Sequence, residues 1–320
     1  MKVLVTGAAG FVGSSLVKKL IMRSDIASVV GVDSFTDYYD PSLKRLNLLG
    51  IDHSKFQLIE EDLVSTDIAS LLDGVDYVFH QAGQPGVRAS WGENFSVYTD
   101  RNVIATQRLL EGSREHPTLQ KFVYASSSSV YGNSPVYPTR EDMLPRPVSP
   151  YGVTKLAAEH LCSLYAANFG VPTVSLRYFT VYGPGQRPDM LFQRIMRSAL
   201  LGEQLRIFGT GEQVRDFTYV DDVVEANLAA AFSGVMPGFV CNVSGGSNIS
   251  VNEVLDIVYR LSDGELSYER VGAVAGDVVR TGGDSSLAST HLGWKPLVDI
   301  ESGLDKMWRH SVSLHGSENK

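Results

Sequence analysis

Two side chains at a fixed spacing could carry out acid–base chemistry on a substrate hydroxyl. Tyr151 and Lys155 stand four residues apart in a segment with a helical pattern, so both project from one face. A phenol is a poor base at neutral pH because its reference pKa is about 10, but a nearby ammonium favours the phenolate. Tuned in this way, Tyr151 could act as a general base. The same spacing is also common in packed or exposed helix faces, so this interpretation needs support elsewhere in the chain.

A glycine-rich turn near the N-terminus gives that support. The apolar run Lys2–Thr6 leads directly into the turn, and a helical pattern follows at once. Glycine is needed where the chain turns tightly, where backbone approaches a pyrophosphate and where a helix packs closely on a strand. Free N–H groups at the helix N-terminus favour phosphate binding. The pattern predicts a dinucleotide site at Gly7, Gly10, Phe11, Val12 and Gly13.

Two aspartates extend this site towards the adenosine half of a dinucleotide. Asp33 ends the second apolar run, 20 residues beyond Gly13, where a carboxylate accepts hydrogen bonds from the ribose. A carboxylate there repels a 2′-phosphate, so NAD is the predicted cofactor rather than NADP. Asp62 and Leu63 follow the apolar Phe56–Ile59 and are predicted to touch the adenine. The alternatives are a loop cap for Asp33 and a surface turn for Asp62.

The elements that must position these residues alternate between strands and helices in the first half of the chain. Apolar runs predict strands at Lys2–Thr6, Ser28–Asp33, Tyr77–Gln81, Lys121–Ser126 and Thr173–Arg177. Helical patterns lie between them at Phe11–Arg23, Tyr98–Glu115 and Tyr151–Phe169. Strands that are apolar on both faces and separated by helices imply a parallel sheet covered on both sides. We expect the α/β doubly wound fold, also called the Rossmann fold.

The second half is less regular and predicts a smaller, discontinuous α/β domain for the substrate. Predicted helices are Asp189–Leu201, Asp221–Phe232 (starting on an acidic cap), Val251–Leu261 and Ile300–His310, and predicted strands are Leu205–Phe208 and Phe217–Val220. We expect residues 1–177 and about 216–248 to bind NAD. Residues 178–215 and 249–320 would then close over the carboxyl edge of the sheet and bind the substrate.

Composition narrows the range of partners. The 320 residues carry a formal net charge of −8 with 43% hydrophobic residues, an ordinary globular balance. Such a charge gives no electrostatic reason to bind nucleic acid or an anionic membrane. No apolar run approaches a membrane span of about 18 residues. Cys162 and Cys241 are too few for a disulfide framework or a metal site and are expected to be small core residues. We therefore expect a cytoplasmic protein.

Several of these motifs together resemble one protein family. The Gly-x-x-Gly-x-x-Gly spacing and the segment from His80 to Gly83 are similar to those of the extended short-chain dehydrogenases/reductases, and the resemblance to nucleotide-sugar epimerases and dehydratases covers nearly the whole chain. It implies that Gln81 and Ala82 lie beneath the cofactor. It also implies a third catalytic partner at Ser127, four residues before Tyr131. The family further implies a homodimer, formed through a four-helix arrangement. The apolar face of Tyr98–Glu115 would allow this, or would serve sheet packing.

The serine-rich segment after the fourth predicted strand distinguishes between reactions of that family. Related dehydratases carry Asp-Glu where this chain has Ser128-Ser129, and related decarboxylases carry Glu at Ser129. Without those carboxylates, the simplest chemistry is oxidation at C4 of the sugar followed by reduction from the opposite face. The resemblance therefore favours 4-epimerisation. A carboxylate elsewhere in the chain is the alternative, and it would leave dehydration or decarboxylation open.

The segment Arg177–Met190 resembles UDP-glucuronate 4-epimerases more than other branches. Thr180 stands where UDP-galactose 4-epimerases usually carry Asn, and the Gln84–Ser90 loop, which contains Arg88, also resembles this branch. Hydroxyl groups of Ser128, Ser129 and Thr180 could hold a sugar carboxylate, with Arg187 as the nearby cation. A 4-keto uronate is a β-keto acid that tends to lose carbon dioxide, so neutral donors suit an epimerase. Arg187 could also be a structural surface residue.

The resemblance continues into the nucleotide-binding segments. Arg215 matches the arginine that holds the diphosphate, and Ile207 belongs to a strand expected to line the uracil with backbone groups. The implied ribose contact is Asp277.

One position departs from the family pattern. UDP-galactose epimerases place a second diphosphate arginine three residues before that aspartate, where this chain has Val274. Either Arg270 or Arg280 would substitute, or the nucleotide is held differently.

Other functions stay open on the sequence alone. A UDP-glucose or UDP-N-acetylglucosamine 4-epimerase, a UDP-glucuronate decarboxylase and a nucleotide-sugar dehydratase share these motifs. A simple dehydrogenase would release stoichiometric NADH. A non-catalytic NAD sensor is the most remote alternative, because such proteins usually lose Tyr151 or Lys155, and both are present here.

Overall fold

The computed structural model describes residues 1–51, 53–272 and 280–318, with side chains described up to residue 314. Within these residues the strands are β1 (Lys2–Thr6), β2 (Ser28–Val32), β3 (Phe56–Ile59), β4 (Tyr77–His80), β5 (Lys121–Ser127), β6 (Thr173–Tyr178), β7 (Thr180–Tyr182), β8 (Leu205–Phe208), β9 (Val214–Arg215), β10 (Phe217–Tyr219), β11 (Phe239–Val243), β12 (Ile249–Ser250) and β13 (Tyr268–Val271). The helices are α1 (Phe11–Ile21), α2 (Pro41–Leu48), α3 (Ile68–Leu72), α4 (Phe95–Tyr98), α5 (Ala105–Gly112), α6 (Pro150–Phe169), α7 (Leu191–Leu201), α8 (Val220–Ala231), α9 (Val251–Leu261), α10 (Ser286–Leu292) and α11 (Ile300–Glu318).

A seven-stranded sheet forms the centre of the fold, in the order β11-β6-β5-β4-β1-β2-β3. Every neighbouring pair in it is parallel. The chain order reverses between β1 and β4, so the connections after these two strands leave in opposite directions. A crevice opens at such a switch point, outside the carboxyl ends of the strands. The predicted doubly wound parallel sheet is confirmed.

Apolar side chains cover both faces of this sheet. On one face, Leu16 and Leu20 of α1 and Val223 of α8 are fully buried in one continuous core with the strands. On the other face, Leu109 of α5 and Cys162 of α6 are fully buried in a second core. Each fully buried leucine contributes about 1.5–3 kcal/mol relative to an exposed one, so both layers stabilise the sheet. Both cysteines are buried and free, as the sequence predicts.

The remaining elements build a smaller α/β layer from the second half of the chain. Three two-stranded sheets pair β7 with β10, β9 with β12 and β8 with β13. Their core is a third apolar cluster, in which Ile195 of α7, Val254 of α9 and Leu304 of α11 are fully buried. Within the described residues, no helix is long and apolar enough to cross a bilayer.

The structure differs from the predicted elements at several helices and strands, and it contains short helices and strands that no pattern predicted, among them α2, α3 and α10. The helix expected at Tyr98–Glu115 consists of α4, a π-helical turn at Thr99–Ile104, and α5. Expecting an acidic cap at Asp221 was wrong: α8 begins at Val220, and its N-terminal flanking residue makes no side-chain cap. The helix predicted to end at His310 continues to Glu318, and β11 was missed because Phe239–Val243 shows no periodic pattern.

Candidate active site

One cavity of about 820 Å³ opens at the carboxyl edge of the sheet and extends beneath the smaller layer. Its volume lies within the usual range for ligand sites, about 300–1,000 Å³. Almost every predicted site residue lines it: Gly7, Gly10, Phe11, Val12, Gly13, Asp33, Asp62, Leu63, Gln81, Ala82, Arg88, Ser127, Ser128, Ser129, Tyr151, Lys155, Thr180, Arg187, Ile207 and Arg215. Asp277 and Val274 lie outside the described residues. The predicted site residues that the structure describes therefore lie together at one place in the fold.

The glycine turn is shaped for a close approach of backbone. Gly7 adopts φ +65°, and a Cβ atom added to it would lie 2.8 Å from the Ala82 amide nitrogen. A Cβ atom on Gly13 would lie 2.0 Å from the Gly7 carbonyl oxygen, so neither position accepts a side chain. Gly10 caps α1 without any side-chain hydrogen bond. The first N–H groups of α1 therefore remain available for phosphate, and the cradle fits a dinucleotide.

Asp33 is buried at the end of β2, and its carboxylate is held by three donors. Oδ2 accepts from the Ala9 amide at 3.2 Å, and Oδ1 accepts from the Phe35 amide at 2.9 Å and from Lys44 Nζ at 2.9 Å. Each carboxylate oxygen can accept more than one hydrogen bond, so capacity remains for ribose hydroxyls. The ion pair with Lys44 is buried as well. Lys44 therefore places a cation directly beside the Asp33 carboxylate.

The turn after β4 is held by hydrogen bonds to polar side chains of the neighbouring elements. The Ala82 amide donates to Thr6 Oγ1 at 3.1 Å. Gln81 Nε2 donates to Asn227 Oδ1 at 2.9 Å, and Gln81 Oε1 accepts from the Tyr178 hydroxyl at 3.1 Å. These bonds tie the turn to β1, β6 and α8, so the floor beneath the glycine turn is rigid.

Tyr151 owes its place to the start of α6. Ser149 caps the helix by accepting a hydrogen bond from the Gly152 amide at 3.1 Å, and Pro150 follows as the first helical residue. Gly170 ends the helix in the left-handed conformation, as the sequence predicts. The helix therefore begins directly at the cavity, and Tyr151 and Lys155 face it one turn apart.

The electrostatics around this pair are set by burial and by two neighbours. Burial raises the pKa of the Tyr151 phenol, while a hydrogen bond with Ser127 and the positive charge of Arg187 act in the opposite direction. Burial lowers the pKa of Lys155 to about 8. Its ammonium lies 4.6 Å from the centre of the Tyr124 ring, a cation–π arrangement. Ser127 therefore lies next to Tyr151. The charge of Arg187 stabilises the phenolate form of Tyr151, although the sequence predicts Arg187 to bind the substrate.

The three serines form a tight turn at the end of β5. Ser127 Oγ accepts from the Ser129 amide at 3.1 Å, and a 3₁₀ turn follows at Ser128–Val130. Thr180 begins β7 and lines the same cavity. Four carboxylates of the described residues also line it: Asp33, Glu61, Asp62 and Asp189. Of these, only Asp189 comes from the second half of the chain.

Arg187 is held by that carboxylate. Its Nε and Nη2 donate to Asp189 at 3.0 Å each, and its guanidinium lies 5.9 Å from the Tyr38 ring centre. Nη1 makes no hydrogen bond among the described residues. Arg88 stacks on Phe208, with 4.7 Å to the ring centre, and so joins its loop to β8. Both arginines are oriented by specific partners within the cavity.

Some residues of the cavity were not predicted from the sequence, including the ion-pair partners of Asp33 and Arg187. Lys44, Asp189 and Arg194 line the cavity, although no motif in the sequence predicts a role for them in the site. The signal for Arg194 was available, since it is a cation on the first turn of a helix that starts at the substrate segment. The two arginines proposed in place of Val274 are engaged elsewhere. Arg270 donates to the Thr210 carbonyl and to Asn252, and Arg280 lies over the Tyr137 ring.

Comparison with known proteins identifies the family. A model described as the NAD dependent epimerase/dehydratase family matches residues 3–242. The chain belongs to this family. The relative described as uncharacterized UDP-glucose epimerase YtcB, from Bacillus subtilis, is 42% identical over 319 residues, which covers 99% of this chain and 100% of the relative. UDP-glucuronate 4-epimerase from Thermodesulfobacterium geofontis is 38% identical over 319 residues, covering 95% and 94%.

A solved structure gives the same answer at the level of the fold. The crystal structure of UDP-glucuronic acid 4-epimerase from Bacillus cereus, in complex with UDP-glucuronic acid and NAD, matches with a TM-score of 0.94 and 43% identity. The match covers 98% of this chain and 100% of that one. These comparisons confirm the predicted family, the NAD cofactor and the class of activity, which is NAD-dependent 4-epimerisation of a UDP-sugar.

Proposed function

We propose that this chain interconverts UDP-glucuronate and UDP-galacturonate, with NAD as a bound and recycled cofactor. The observation that carries the proposal is a single cavity in which Tyr151 and Ser127 meet three hydroxyl side chains and Arg187. The relatives named as UDP-glucuronate 4-epimerases support the same substrate. The name UDP-glucose epimerase on another relative keeps UDP-glucose as the second candidate.

Tyr151 is the residue that moves the proton. Its phenolate accepts the proton of the C4 hydroxyl. Ser127, which hydrogen-bonds Tyr151, would also donate a hydrogen bond to the reacting oxygen. Burial favours the phenol, whereas the guanidinium of Arg187 favours the phenolate. The ammonium of Lys155, one helical turn away, would act in the same direction as Arg187. Bound NAD supplies the acceptor for the C4 hydride and the donor for its return. After the keto sugar has turned its other face, Tyr151 gives the same proton back.

The glycine turn and its neighbours would hold NAD. The N–H groups that begin α1 bind the pyrophosphate, because Gly7 and Gly13 keep the backbone close and Gly10 leaves the helix end uncapped. Asp33 accepts from the adenosine ribose, and Asp62 with Leu63 lies at the adenine. Asp62 also accepts from the Val64 amide at 3.0 Å, which fixes its orientation.

A uronate fits the sugar end better than a neutral hexose. Ser128, Ser129 and Thr180 offer hydroxyl donors, and Arg187 leaves Nη1 without a hydrogen bond among the described residues. Asp189 neutralises part of the arginine charge, so the carboxylate is bound by several neutral donors and one shared cation. Such binding stabilises the carboxylate form without an acid that would assist the loss of carbon dioxide. Arg88 completes this end of the cavity from its loop.

The diphosphate requires cations, and we assign Arg215 and Arg194 to it. Both line the cavity, and no hydrogen bond or ion pair holds the Arg194 side chain among the described residues. Arg206 also lines the cavity but is paired with Glu269 at 2.5 Å. In a chain with a net charge of −8, a local pair of arginines indicates a polyanionic ligand. Ile207 would line the uracil, and the ribose contact of Asp277, which lies outside the described residues, stays a prediction.

A homodimer is the assembly we propose. Ile104, Val153 and Leu164 are exposed by 43%, 47% and 54% on the adjacent segments that include α5 and α6. An exposed apolar face of this kind is typical of an interface. Two copies of the α5–α6 pair would form the four-helix arrangement that the family implies.

Domain organisation and location complete the proposal. Residues 1–177 and about 216–248 form the NAD-binding domain, and residues 178–215 and 249–320 form the substrate domain. Separate apolar cores support two units, although the cores cross these bounds: Ala288 and Trp294 pack in the first core, and Phe11, Phe217 and Val220 pack in the third. We place the enzyme in the cytoplasm, because both the substrate and NAD are charged phosphate esters.

Product analysis on a panel of substrates tests this function. Purified protein is incubated with UDP-glucuronate, UDP-glucose or UDP-N-acetylglucosamine, and the sugar rings are identified by NMR. We expect UDP-galacturonate from UDP-glucuronate, with no accumulation of NADH and no carbon dioxide. A pentose product would instead support a decarboxylase, and a 4-keto-6-deoxy sugar would indicate a dehydratase. Turnover of UDP-glucose alone would refute the assignment of Thr180 and Arg187 to a carboxylate.

A further inference from the structure

A buried ion pair lies directly behind the serine turn, outside the groups that contact substrate. Glu159 of α6 and Arg177 of β6 form a bidentate pair, with Nε to Oε2 at 2.9 Å and Nη2 to Oε1 at 2.6 Å. Their side chains are only 3% and 6% exposed. Glu159 stands one helical turn beyond Lys155 on the same helix. The pair is therefore close to the reacting groups, although it does not line the cavity.

The pair holds both ends of the turn that carries the catalytic and substrate-binding serines. At the first end, Ser126 Oγ donates to Glu159 Oε2 at 2.6 Å. At the second end, Arg177 Nη1 donates to the Tyr131 hydroxyl at 2.7 Å, and that hydroxyl donates to Asn242 Oδ1 at 2.7 Å. Residues 127–130 lie between these two attachment points. Every serine assigned to the reaction or to the carboxylate is thus confined by one ion pair.

Stability alone does not explain a charged pair at this position. Replacing a buried ion pair by apolar side chains of similar volume is often neutral or stabilising, because desolvation offsets the attraction. Burial opposes the charge on Arg177, yet the bonds from Glu159 outweigh it and raise the arginine pKa above its ordinary value. The two hydrogen bonds between the side chains fix the orientation of the pair. What it provides is a defined position for Ser126 and Tyr131.

We propose that Glu159 and Arg177 are positioning residues that set the serine turn, through Ser126 and Tyr131, and so keep the reaction on the epimerisation path. This inference rests on the proposed uronate substrate. The competing reaction is loss of carbon dioxide from the 4-keto uronate. In it, the C5–C6 bond breaks, its electron pair stays on the sugar as the enolate of the C4 ketone, and carbon dioxide leaves. The enolate then takes a proton from water at C5 to give a UDP-4-keto-pentose.

Geometry decides between the two outcomes. Carbon dioxide leaves fastest when the C5–C6 bond is aligned with the π system of the ketone, so a carboxylate held away from that alignment reacts slowly. Ser128 and Ser129 can hold it only if their turn is fixed. A turn released at one end lets the carboxylate reach the reactive alignment, and it also moves Ser127 away from Tyr151.

The variant Tyr131→Phe tests this with little change in packing, because the ring remains in its apolar cluster with Val130 and Phe179. The matched control is Tyr165→Phe. Tyr165 is also buried and lies on α6, but it is remote from the turn. This variant likewise removes two hydrogen bonds, those with Gln107 and Glu111. Ångström-scale misplacement of reacting groups costs up to about a hundredfold in rate. We expect Tyr131→Phe to reduce kcat on the order of tenfold, with a smaller change in KM. A UDP-4-keto-pentose product should become detectable with Tyr131→Phe, while the control makes only UDP-galacturonate, like the wild-type protein.

A second variant guards against misfolding of the first. Ser126→Ala removes the other attachment with a minimal change in volume, and it should shift the product ratio in the same direction. Thermal unfolding and NAD content of each purified variant establish that the compared proteins are folded and loaded. A wild-type product ratio in folded, active Tyr131→Phe and Ser126→Ala would overturn the inference alone. Failure of the wild-type protein to make UDP-galacturonate would overturn the proposed function, and this inference with it.

Discussion

Replacing Asp33 by asparagine should change the cofactor preference in a way that depends on Lys44. The Asp33 carboxylate accepts from two backbone amides and from Lys44 Nζ at 2.9 Å, and both side chains are buried. The asparagine side chain would keep an acceptor for the ribose but lose the negative charge. The Lys44 ammonium would then face the ribose 2′ position without a counter-charge. NAD should bind less tightly, and NADP should bind more tightly.

The magnitudes follow from the loss of one charge. A hydrogen bond to a charged group contributes about 1.5–3 kcal/mol and a neutral one about 0.5–1.5 kcal/mol, so NAD should lose about 1–1.5 kcal/mol. That corresponds to roughly tenfold weaker binding. Two unit charges about 5 Å apart interact by about 3 kcal/mol at an effective dielectric constant of 20. Removing the repulsion of a 2′-phosphate should therefore strengthen NADP binding on the order of a hundredfold.

Calorimetric titration of the cofactor-free protein with each dinucleotide measures both effects. Asp33→Asn with Lys44→Met is the matched control, because it removes the cation as well and should lose most of the gain for NADP. Thermal unfolding shows whether each variant is folded before titration. Asp33→Asn with unchanged NAD affinity would refute the ribose contact, and a full NADP gain in the double variant would refute the role of Lys44.

Three further predictions concern catalysis, the diphosphate and assembly. Burial lowers the pKa of Lys155 to about 8, so the ammonium is lost as the pH rises through that value and kcat should fall above it; a kcat that stays flat up to the ordinary lysine pKa of 10.5 would contradict this role. Arg194→Ala should raise KM for the UDP-sugar about tenfold or more through loss of a charge-assisted contact, whereas Arg270→Ala should leave it unchanged; equal effects in steady-state kinetics would remove Arg194 from the site. Leu164→Arg should give a monomer by light scattering, since it places a charge on the exposed apolar face, and a dimer of unchanged affinity would locate the interface elsewhere.

The parts of the fold that the sequence predicted depend on local patterns. β1 was predicted with its observed bounds because an apolar run meets a glycine turn, and the long helix α6 was predicted to within one residue. β11 and the π-helical turn were missed because tertiary contacts decide them. The turn brings Asn102 inwards to bond the Gln84 backbone and Thr154, and nothing in the local pattern signals that.

In the site too, some features follow from local sequence patterns and others from tertiary contacts. Tyr151, Ser127 and the glycine turn follow from motifs in which spacing fixes geometry. The partners of Asp33 and Arg187 do not follow from spacing. The contact of Lys44 with Asp33 forms only because α2 folds back towards the end of β2. The contact of Asp189 with Arg187 depends on the turn between these two residues. Glu159 and Arg177 lie 18 residues apart on different elements, so only the sheet brings them together. Charge pairs between different elements therefore cannot be predicted from residue spacing alone.

The fate of the hydrogen at C4 tests the central claim most directly. UDP-glucuronate labelled with deuterium at C4 is incubated with the protein, and the UDP-galacturonate is examined by NMR and mass spectrometry. Oxidation and reduction at C4 with a recycled cofactor predict that the deuterium remains at C4 of the product, with the configuration inverted. Loss of the label to solvent, or its appearance on released NADH, would contradict the account.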